Sequence, residues 1–514
     1  MQTITKTATS DITIPKYLSS IISIVGIGIF LCLVLLNLEY SPVPWFDEGE
    51  HLRVPKTLVE HGQYAVWTSD GYRYFGPTIG VGPTVLLPIA LSFKLFGVGL
   101  VQGRLVIVLY LLLATALYWL YVRCFVAALP GVLALLMLCT SPGIDFIRLG
   151  RQGLGEIPAL AFFLGGLLLW CRLVERGYSL RLLSGASLLW GLATITKSNY
   201  GLLLPPVFVI AWLANRYYFR VAGLGWKIFA VPLVTVIGAL GVWYLIVLYF
   251  LGGGDFASNL DMLKTASGGS AFVLSLSRMK SALYFLVEPN ALWCTLVPGI
   301  LYSLWLARTK TATSFSLFSP LLCAIVWLVW FGFASIGWER YAFPALVLCS
   351  LFSARLVWDA PALLATLLKK QAIKTPIALL LGVIFALLFS LNLVKISTET
   401  LKVDDSAQRL TAYLNQNVPN SVVIETWESE MGFLTNHRYH SPPPELLDKA
   451  VRIMWLGAPG TVAQQYDTNN LAAAYLIDGA FSNWNGLYIA LINSGKFVKV
   501  ADFGKYTLYK KRAE

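Results

Sequence analysis

Charge is what this chain has least of. Asp, Glu, Lys and Arg make up 13% of its 514 residues, about half the share of a soluble domain. Hydrophobic residues make up 57%, and the mean hydropathy is +0.67. With apolar runs of about 18 residues or more recurring along it, the chain reads as a polytopic membrane protein. It lacks a nucleophile elbow, a P-loop, an HExxH pair and a Rossmann fingerprint, so the chemistries those motifs serve have no support. No small-residue cleavage site follows the first apolar run, which therefore reads as a retained span. No tandem repeat is present, and the single low-complexity patch is "SPPP" at 441–444. None of the seven cysteines has metal-ligand spacing. All lie in or beside apolar runs and none lies beyond residue 396, so the polar tail carries no disulfide.

The few charges are informative by position. The net charge of +12 suggests nucleic acid at first sight. That partner is excluded because Lys and Arg cluster in short gaps between apolar runs, the pattern of the positive-inside rule. Spans are expected near 18–38, 104–122, 126–142, 158–171, 182–197, 200–215, 228–251, 285–307, 316–336, 341–358 and 376–395. Basic gaps at Arg172/Arg176/Arg181, Arg216/Arg220/Lys227, Arg308/Lys310 and Lys369/Lys370/Lys374 are two spans apart, so all four face the cytoplasm. The outer side then holds 39–103, 143–157, 198–199, 252–284, 337–340 and the tail. The segment 81–100 contains Pro83, Pro88 and Lys94 and reads as an interfacial or re-entrant helix within the first outer loop. The fold class expected is a bundle of about 11 transmembrane helices over 1–395, followed by a small α/β domain over 396–514. Tail segments "SAQRLTAYLNQN", "SVVIETW", "AAAYLIDGAF" and "FVKVADFGKYTLYKK" alternate helical and strand patterns. His437 and His440, beside "SPPP", are read as part of an ordinary turn.

Ionisable side chains collect on the outer side. In "WFDEGEH", Asp47, Glu48 and Glu50 follow the first span, and Asp47 and His51 share a helix face at i, i+4. They fit a general base or a cation site; they equally fit a helix N-terminus rich in acids. In the second outer loop (143–157), Arg148 and Arg151 precede Glu156, a carboxylate at the mouth of a span and so a functional candidate; an Arg–Glu pair anchoring the loop is the plainer alternative. Lys197 in "TKSNYG" is a phosphate-binding candidate or a snorkelling lysine. Glu339 and Arg340 in "GWERYAFP" and Arg73 in "SDGYRYFGP" lie on the same side. Carboxylates to activate a hydroxyl, cations for phosphate oxygens and Trp45 and Trp67 for a sugar face suit a lipid-tailed, phosphate-bearing substrate with a polar acceptor.

In this order the motifs resemble the glycosyltransferase C (GT-C) superfamily, in its protein O-mannosyltransferase and lipid A aminoarabinose transferase branch. "FDEGEH" is similar to the first-loop Asp-Glu motif. "GPTVLLPIALSFKLFGVGLVQGRL" resembles the loop segment that follows it, and "RQGLGEIPALAFFLGGLLL" the second-loop R-x4-D motif. "TKSNYGLLLP" and "ERYAFP" resemble the later T-K-x-x-G and R-Y-x-x-P patterns. The likeness runs over about residues 20–345. It implies an inverting glycosyltransferase that takes a sugar from a polyprenyl-phosphate donor to an extracytoplasmic acceptor, whether protein, lipid or envelope glycan. Asp47 aligns with the catalytic base, Glu48 is its motif neighbour, and Glu156 stands where the family usually has Asp. Arg151, Lys197, Arg340 and Tyr341, with Arg73 and Tyr74, are the substrate-binding candidates. A divalent cation, Mg or Mn, is conceivable on Asp47, His51 and Glu156. The resemblance points to the bacterial inner membrane, with the site and tail outside. A lipid or polysaccharide transporter, or a non-catalytic envelope-assembly scaffold, is the competing class; a transporter would carry its charges deep in its spans and show repeated halves.

Overall fold

A computed structural model describes residues 16–74, 80–250, 272–288, 292–467 and 471–512. The expected outer loop at 252–284 thus lies largely outside the described residues, as does the side chain of Tyr74.

The membrane part is helical: α1 (Lys16–Leu35), α4 (Leu100–Val122), α5 (Ala128–Thr140), α7 (Glu156–Arg176), α8 (Leu180–Thr196), α9 (Ser198–Ala214), α10 (Trp226–Phe250), α11 (Leu276–Val287), α12 (Trp293–Leu306), α13 (Ala312–Ala334), α14 (Glu339–Leu367) and α15 (Lys374–Leu401). Seven segments among the described residues are long and apolar enough to cross a membrane, and five apolar helices are shorter. The expected span 285–307 is not one helix: α11 ends at Val287 and α12 begins at Trp293. Between α1 and α4 lie α2 (Phe46–His61), the hairpin β1 (Ala65–Thr68) and β2 (Gly71–Tyr74), and α3 (Pro83–Phe96). A four-residue turn, α6 (Phe146–Leu149), precedes α7.

α7 is the axis of the bundle. Its side chains are buried almost from end to end, as expected of a helix apolar on every face. α15 is the opposite case: Thr400 is its one buried residue, Leu379, Leu380, Val383 and Leu387 face outward, and Phe385 and Phe389 pack on the bundle. At its end, backbone oxygens of Glu399, Thr400 and Lys402 accept from Ser41 and Asn37, bringing the chain back to where α1 ends.

Residues beyond α15 form a five-stranded mixed sheet in the order β4 (Arg438–His440), β3 (Val423–Thr426), β5 (Tyr475–Asp478), β7 (Thr507–Lys511), β6 (Phe497–Asp502). β4, β3 and β5 are parallel; β5, β7 and β6 are antiparallel. Helices α16 (Ser406–Asn417), α17 (Ser429–Leu434), α18 (Pro444–Leu456), α19 (Ala480–Asn485) and α20 (Ile489–Asn493) cover it. Alternation along β5 puts Leu476 in one core and Ile477 in the other, so both faces of the sheet are buried. His440 belongs to β4 rather than to a turn, and its Nδ1 meets Glu425 at 2.5 Å.

The tail is joined to α2. Phe46 packs in the same cluster as Trp427, Leu446 and Leu476 of the tail. Gly49 crosses the α17 backbone so closely that a Cβ there would lie 2.2 Å from the Glu430 nitrogen. Lys56 donates to the carbonyls of Phe433 (2.9 Å) and Thr435 (2.6 Å), which the end of α17 leaves without helical partners. Ser429 donates to Glu50. Arg73 donates to the carbonyls of Ser441 and Pro442, both at 2.8 Å.

Candidate active site

A cavity of about 1230 Å³ opens between the bundle and the tail sheet. That exceeds the usual volume for a drug-sized ligand. Asp47, His51, Lys197, Arg340 and Tyr341 line it, with Asp145, Arg148 and Arg278.

Each charged group reaches the cavity from a helix end. Asp47 is the second residue of α2, whose N-terminal dipole favours an acid. Lys197 sits at the break between α8 and α9 in extended conformation (φ −143°, ψ 117°). Its Nζ meets the Glu156 carboxylate at 2.9 Å, where α7 begins. Arg340 occupies the first turn of α14, a position the helix dipole disfavours for a cation. Its ion pair with Asp47 compensates, and its guanidinium lies over the rings of Trp45 (5.7 Å) and Trp338 (5.2 Å). A local preference overridden in this way marks a side chain held for its function.

Burial pushes the Asp47 carboxyl up, but Arg340, His51 and Lys197 together outweigh it and hold Asp47 below its ordinary value. It is therefore ionised at neutral pH. Burial and then Lys197 push His51 below its ordinary value, so its ring is neutral. Its Nδ1 lies 2.9 Å from the Gly153 carbonyl, which only accepts; the proton is on Nδ1 and Nε2 is left as an acceptor. Asp145 is raised to about 6 by burial, in spite of Arg148 at 2.5 Å.

Other expected site residues lie elsewhere. Glu48 is fully buried and faces away from the cavity: Arg104 donates to it at 2.9 and 2.5 Å, and the Gly153 nitrogen at 2.8 Å. Arg151 pairs neither with Glu156 nor with the cavity. Its guanidinium donates to the carbonyls of Leu33, Leu36 and Ser41, which a helix end and the turn after it leave open. Arg73 is held by the tail carbonyls described above. Glu156 is behind Lys197, and its Oε2 is buried without a partner among the described residues.

The donor set does not fit a metal ion. Among the described residues no three His, Cys, Asp or Glu side chains come together to hold one. Asp47 and Glu156 are each matched to a cation, and His51 is turned by the Gly153 carbonyl.

Reading the sequence alone missed Arg278, whose guanidinium lies 5.4 Å from the Trp455 ring. Its only signal was an arginine in an expected outer loop. It also missed that the tail builds one wall of the cavity.

A family model described as dolichyl-phosphate-mannose-protein mannosyltransferase matches residues 81–250. That stretch holds Glu156 and Lys197 but not Asp47 or Arg340. No curated protein sequence matches the chain. Among solved structures, ArnT from Cupriavidus metallidurans bound to undecaprenyl phosphate is similar over 97% of this chain and 99% of its own, at 14% identity and TM-score 0.63. The archaeal oligosaccharyltransferase AglB from Archaeoglobus fulgidus, in complex with an inhibitory peptide and a dolichol-phosphate, is similar over 97% and 74%, at 12% identity and TM-score 0.59. The Archaeoglobus fulgidus oligosaccharyltransferase complex with Zn and sulfate aligns over 95% and 72%, at 14% identity and TM-score 0.57.

The chain thus shares the fold of these solved membrane glycosyltransferases, and its residues 81–250 match the mannosyltransferase family model.

Proposed function

We propose that the protein transfers a sugar from a polyprenyl-phosphate donor to an acceptor hydroxyl on the extracytoplasmic side of a bacterial inner membrane. Residues 1–395 form the catalytic membrane domain of about eleven spans, and 396–514 an outer α/β domain. The observation that carries this reading is the pairing of Asp47 with Arg340 and Glu156 with Lys197 at one cavity wall. Two cations are held there by two carboxylates, ready for an anion of higher charge.

A donor phosphate draws Lys197 and Arg340 onto its oxygens. Arg340 then leaves Asp47, whose carboxylate becomes more basic as its counter-charge moves off. The acceptor oxygen forms a bond to the anomeric carbon from the face opposite the phosphate. The bond from that carbon to the phosphate oxygen breaks, and its electron pair stays on the phosphate. The acceptor proton goes to Asp47. Charge grows on the leaving phosphate as this happens, and fixed cations beside it lower the barrier. The configuration at the anomeric carbon inverts. Glu156 holds Lys197 in place, and His51 Nε2 accepts from a donor or acceptor hydroxyl.

The test uses the full-length protein in nanodiscs and in membranes containing its natural acceptor. Asp47→Asn is expected to bind undecaprenyl phosphate at least as tightly as the wild type does and to lose transfer by about 10² to 10⁴-fold. Lys197→Ala and Arg340→Ala are expected to weaken undecaprenyl phosphate binding. Full transfer by Asp47→Asn sinks the base assignment. Undiminished lipid-phosphate binding in both cation variants sinks the phosphate site.

A further inference from the structure

The donor chemistry leaves one feature of the cavity unused, its rings. Trp338 lies 5.9 Å from Trp455, centroid to centroid, and Trp455 lies 5.8 Å from Trp484. Trp484 lies 6.0 Å from Phe481, and Phe481 stacks on Phe46 at 4.0 Å and 17°. Phe46 directly precedes Asp47. Arg340, over Trp338, pairs with Asp47. The chain of contacts therefore closes on itself as a collar, and all five rings line the cavity. Phe46 and Trp338 come from the membrane part; Trp455, Phe481 and Trp484 come from the tail.

Two ordinary explanations fail. Trp at a membrane interface faces headgroups, whereas these rings face the cavity and one another. A closed core accounts for Phe46, which is 5% exposed, but not for Trp484, which is 46% exposed. Polar groups join the rings. Glu430, 2% exposed, lines the same cavity; Tyr506 donates to its Oε1 at 2.9 Å, and its Oε2 has no partner among the described residues. Burial, and then Glu428, raise its carboxyl well above the ordinary value.

Flat apolar faces beside polar groups match a saccharide ring, which has C–H faces and a hydroxyl edge. They offer no place for a peptide that binds by strand addition, which needs a free strand edge: among the described residues no strand residue lines the cavity. The β4 edge is also engaged, its Tyr439 carbonyl accepting from the Ser69 nitrogen at 2.8 Å.

We propose that this collar is the acceptor subsite and that the acceptor enters it as a saccharide, stacked on Trp455 and Trp484 with a hydroxyl turned toward Asp47. The inference rests on the transferase reading above. Sugars borne on a lipid and on a free glycan share the recognising chemistry.

The experiment takes full-length protein in nanodiscs and measures binding of cellohexaose, chitohexaose and mannohexaose by saturation-transfer NMR. A ten-residue Ser/Thr-rich peptide is the contrasting probe, and undecaprenyl phosphate binding is read on the same samples. At least one hexasaccharide is expected to bind in the millimolar range or better. Trp484→Ala should weaken it about tenfold, the loss of one stacked ring, and Trp484→Phe should restore most of it. Lipid-phosphate binding should not change in either variant. The proposal is overturned if no hexasaccharide binds at millimolar concentration, if Trp455→Ala and Trp484→Ala both bind as the wild type does, or if the peptide alone binds. Wild-type protein that fails to bind undecaprenyl phosphate counts against the donor reading instead, so the two failures are distinct. With a hexasaccharide identified, linking it to a lipid anchor separates the two sources: tighter binding by the anchored form assigns a lipid-borne acceptor, equal binding a free glycan.

Discussion

Two adjacent carboxylates in "FDE" should fail in opposite ways when neutralised. Glu48 and Arg104 are both fully excluded from solvent, and Glu48 receives three donated hydrogen bonds, two from Arg104 and one from Gly153. In Glu48→Gln one acceptor oxygen becomes an NH2 that faces those donors. The Arg104 charge is then left buried without a counter-ion. Removing one partner of a buried pair costs about 3–5 kcal/mol, mostly from the stranded charge. Thermal unfolding of the detergent-solubilised protein should shift down by roughly 5–10 °C at about 2 °C per kcal/mol. Asp47 and Arg340 are 23% and 24% exposed at the cavity. Water can solvate the arginine left behind, so Asp47→Asn should cost only about 1 kcal/mol or less. Unfolding followed by tryptophan fluorescence, with transfer measured on the same preparations, separates the two. A Glu48→Gln protein with wild-type stability and no transfer would refute this reasoning and move Glu48 from the scaffold into the chemistry.

Three further outcomes are expected. Gly49→Ala drives a methyl into the α17 backbone, where contacts of 2.2, 2.5 and 2.6 Å must open by about 1 Å; overpacking of this kind costs about 1–3 kcal/mol, so stability should fall and transfer with it. Gly238→Ala, with nothing within 4 Å, is the matched control and should do neither. Asp145, raised to about 6, is neutral below that pH and adds negative charge to the cavity above it. Wild-type affinity for undecaprenyl phosphate should therefore fall through pH 6 relative to Asp145→Asn, and identical pH profiles for the two would refute this. Asp47 is held below 3.8, so its ion pair with Arg340 contributes stability above about pH 4 and loses it as pH falls through the lowered value. Asp47→Asn should flatten that part of the acid-unfolding curve.

The legible part of the site was the part written in short motifs at span ends. Asp47, Lys197 and Arg340 each stand at a helix terminus that periodicity and the charge gaps locate, and all three line the cavity. What stayed hidden depends on partners far along the chain. Glu48 read as the motif neighbour of Asp47 at the catalytic site because Arg104, 56 residues on, read only as the start of a span. Arg151 read as a substrate-binding candidate because nothing in its neighbourhood announces three open carbonyls more than a hundred residues earlier. The tail's elements were readable from their alternation, but not the wall they build. Trp455 sits on an amphipathic helix, where a ring facing a cavity and one facing a core look alike.

α2 also decides what the tail is for. A surface helix buries one stripe, yet residues 48–57 of α2 are buried without a break. Its polar groups are satisfied by different neighbours: Glu48 by Arg104 of the bundle, Glu50 by Ser429, Arg53 by the Trp67 carbonyl, Lys56 by the end of α17. The helix carrying Asp47 thus belongs as much to the tail as to the membrane part. Truncation after residue 405 would strand Lys56, remove the Ser429 hydrogen bond to Glu50 and uncover Phe46. Burial without these carbonyls is unfavourable for Lys56, whose amine is already lowered to about 8 by burial. α2 should therefore lose its register on the bundle, and Arg340 its partner. A truncated protein that still folds should bind undecaprenyl phosphate at least tenfold more weakly. A tail that were only an acceptor-binding appendage would leave that affinity untouched, and wild-type affinity in the truncated bundle would refute the shared-helix argument.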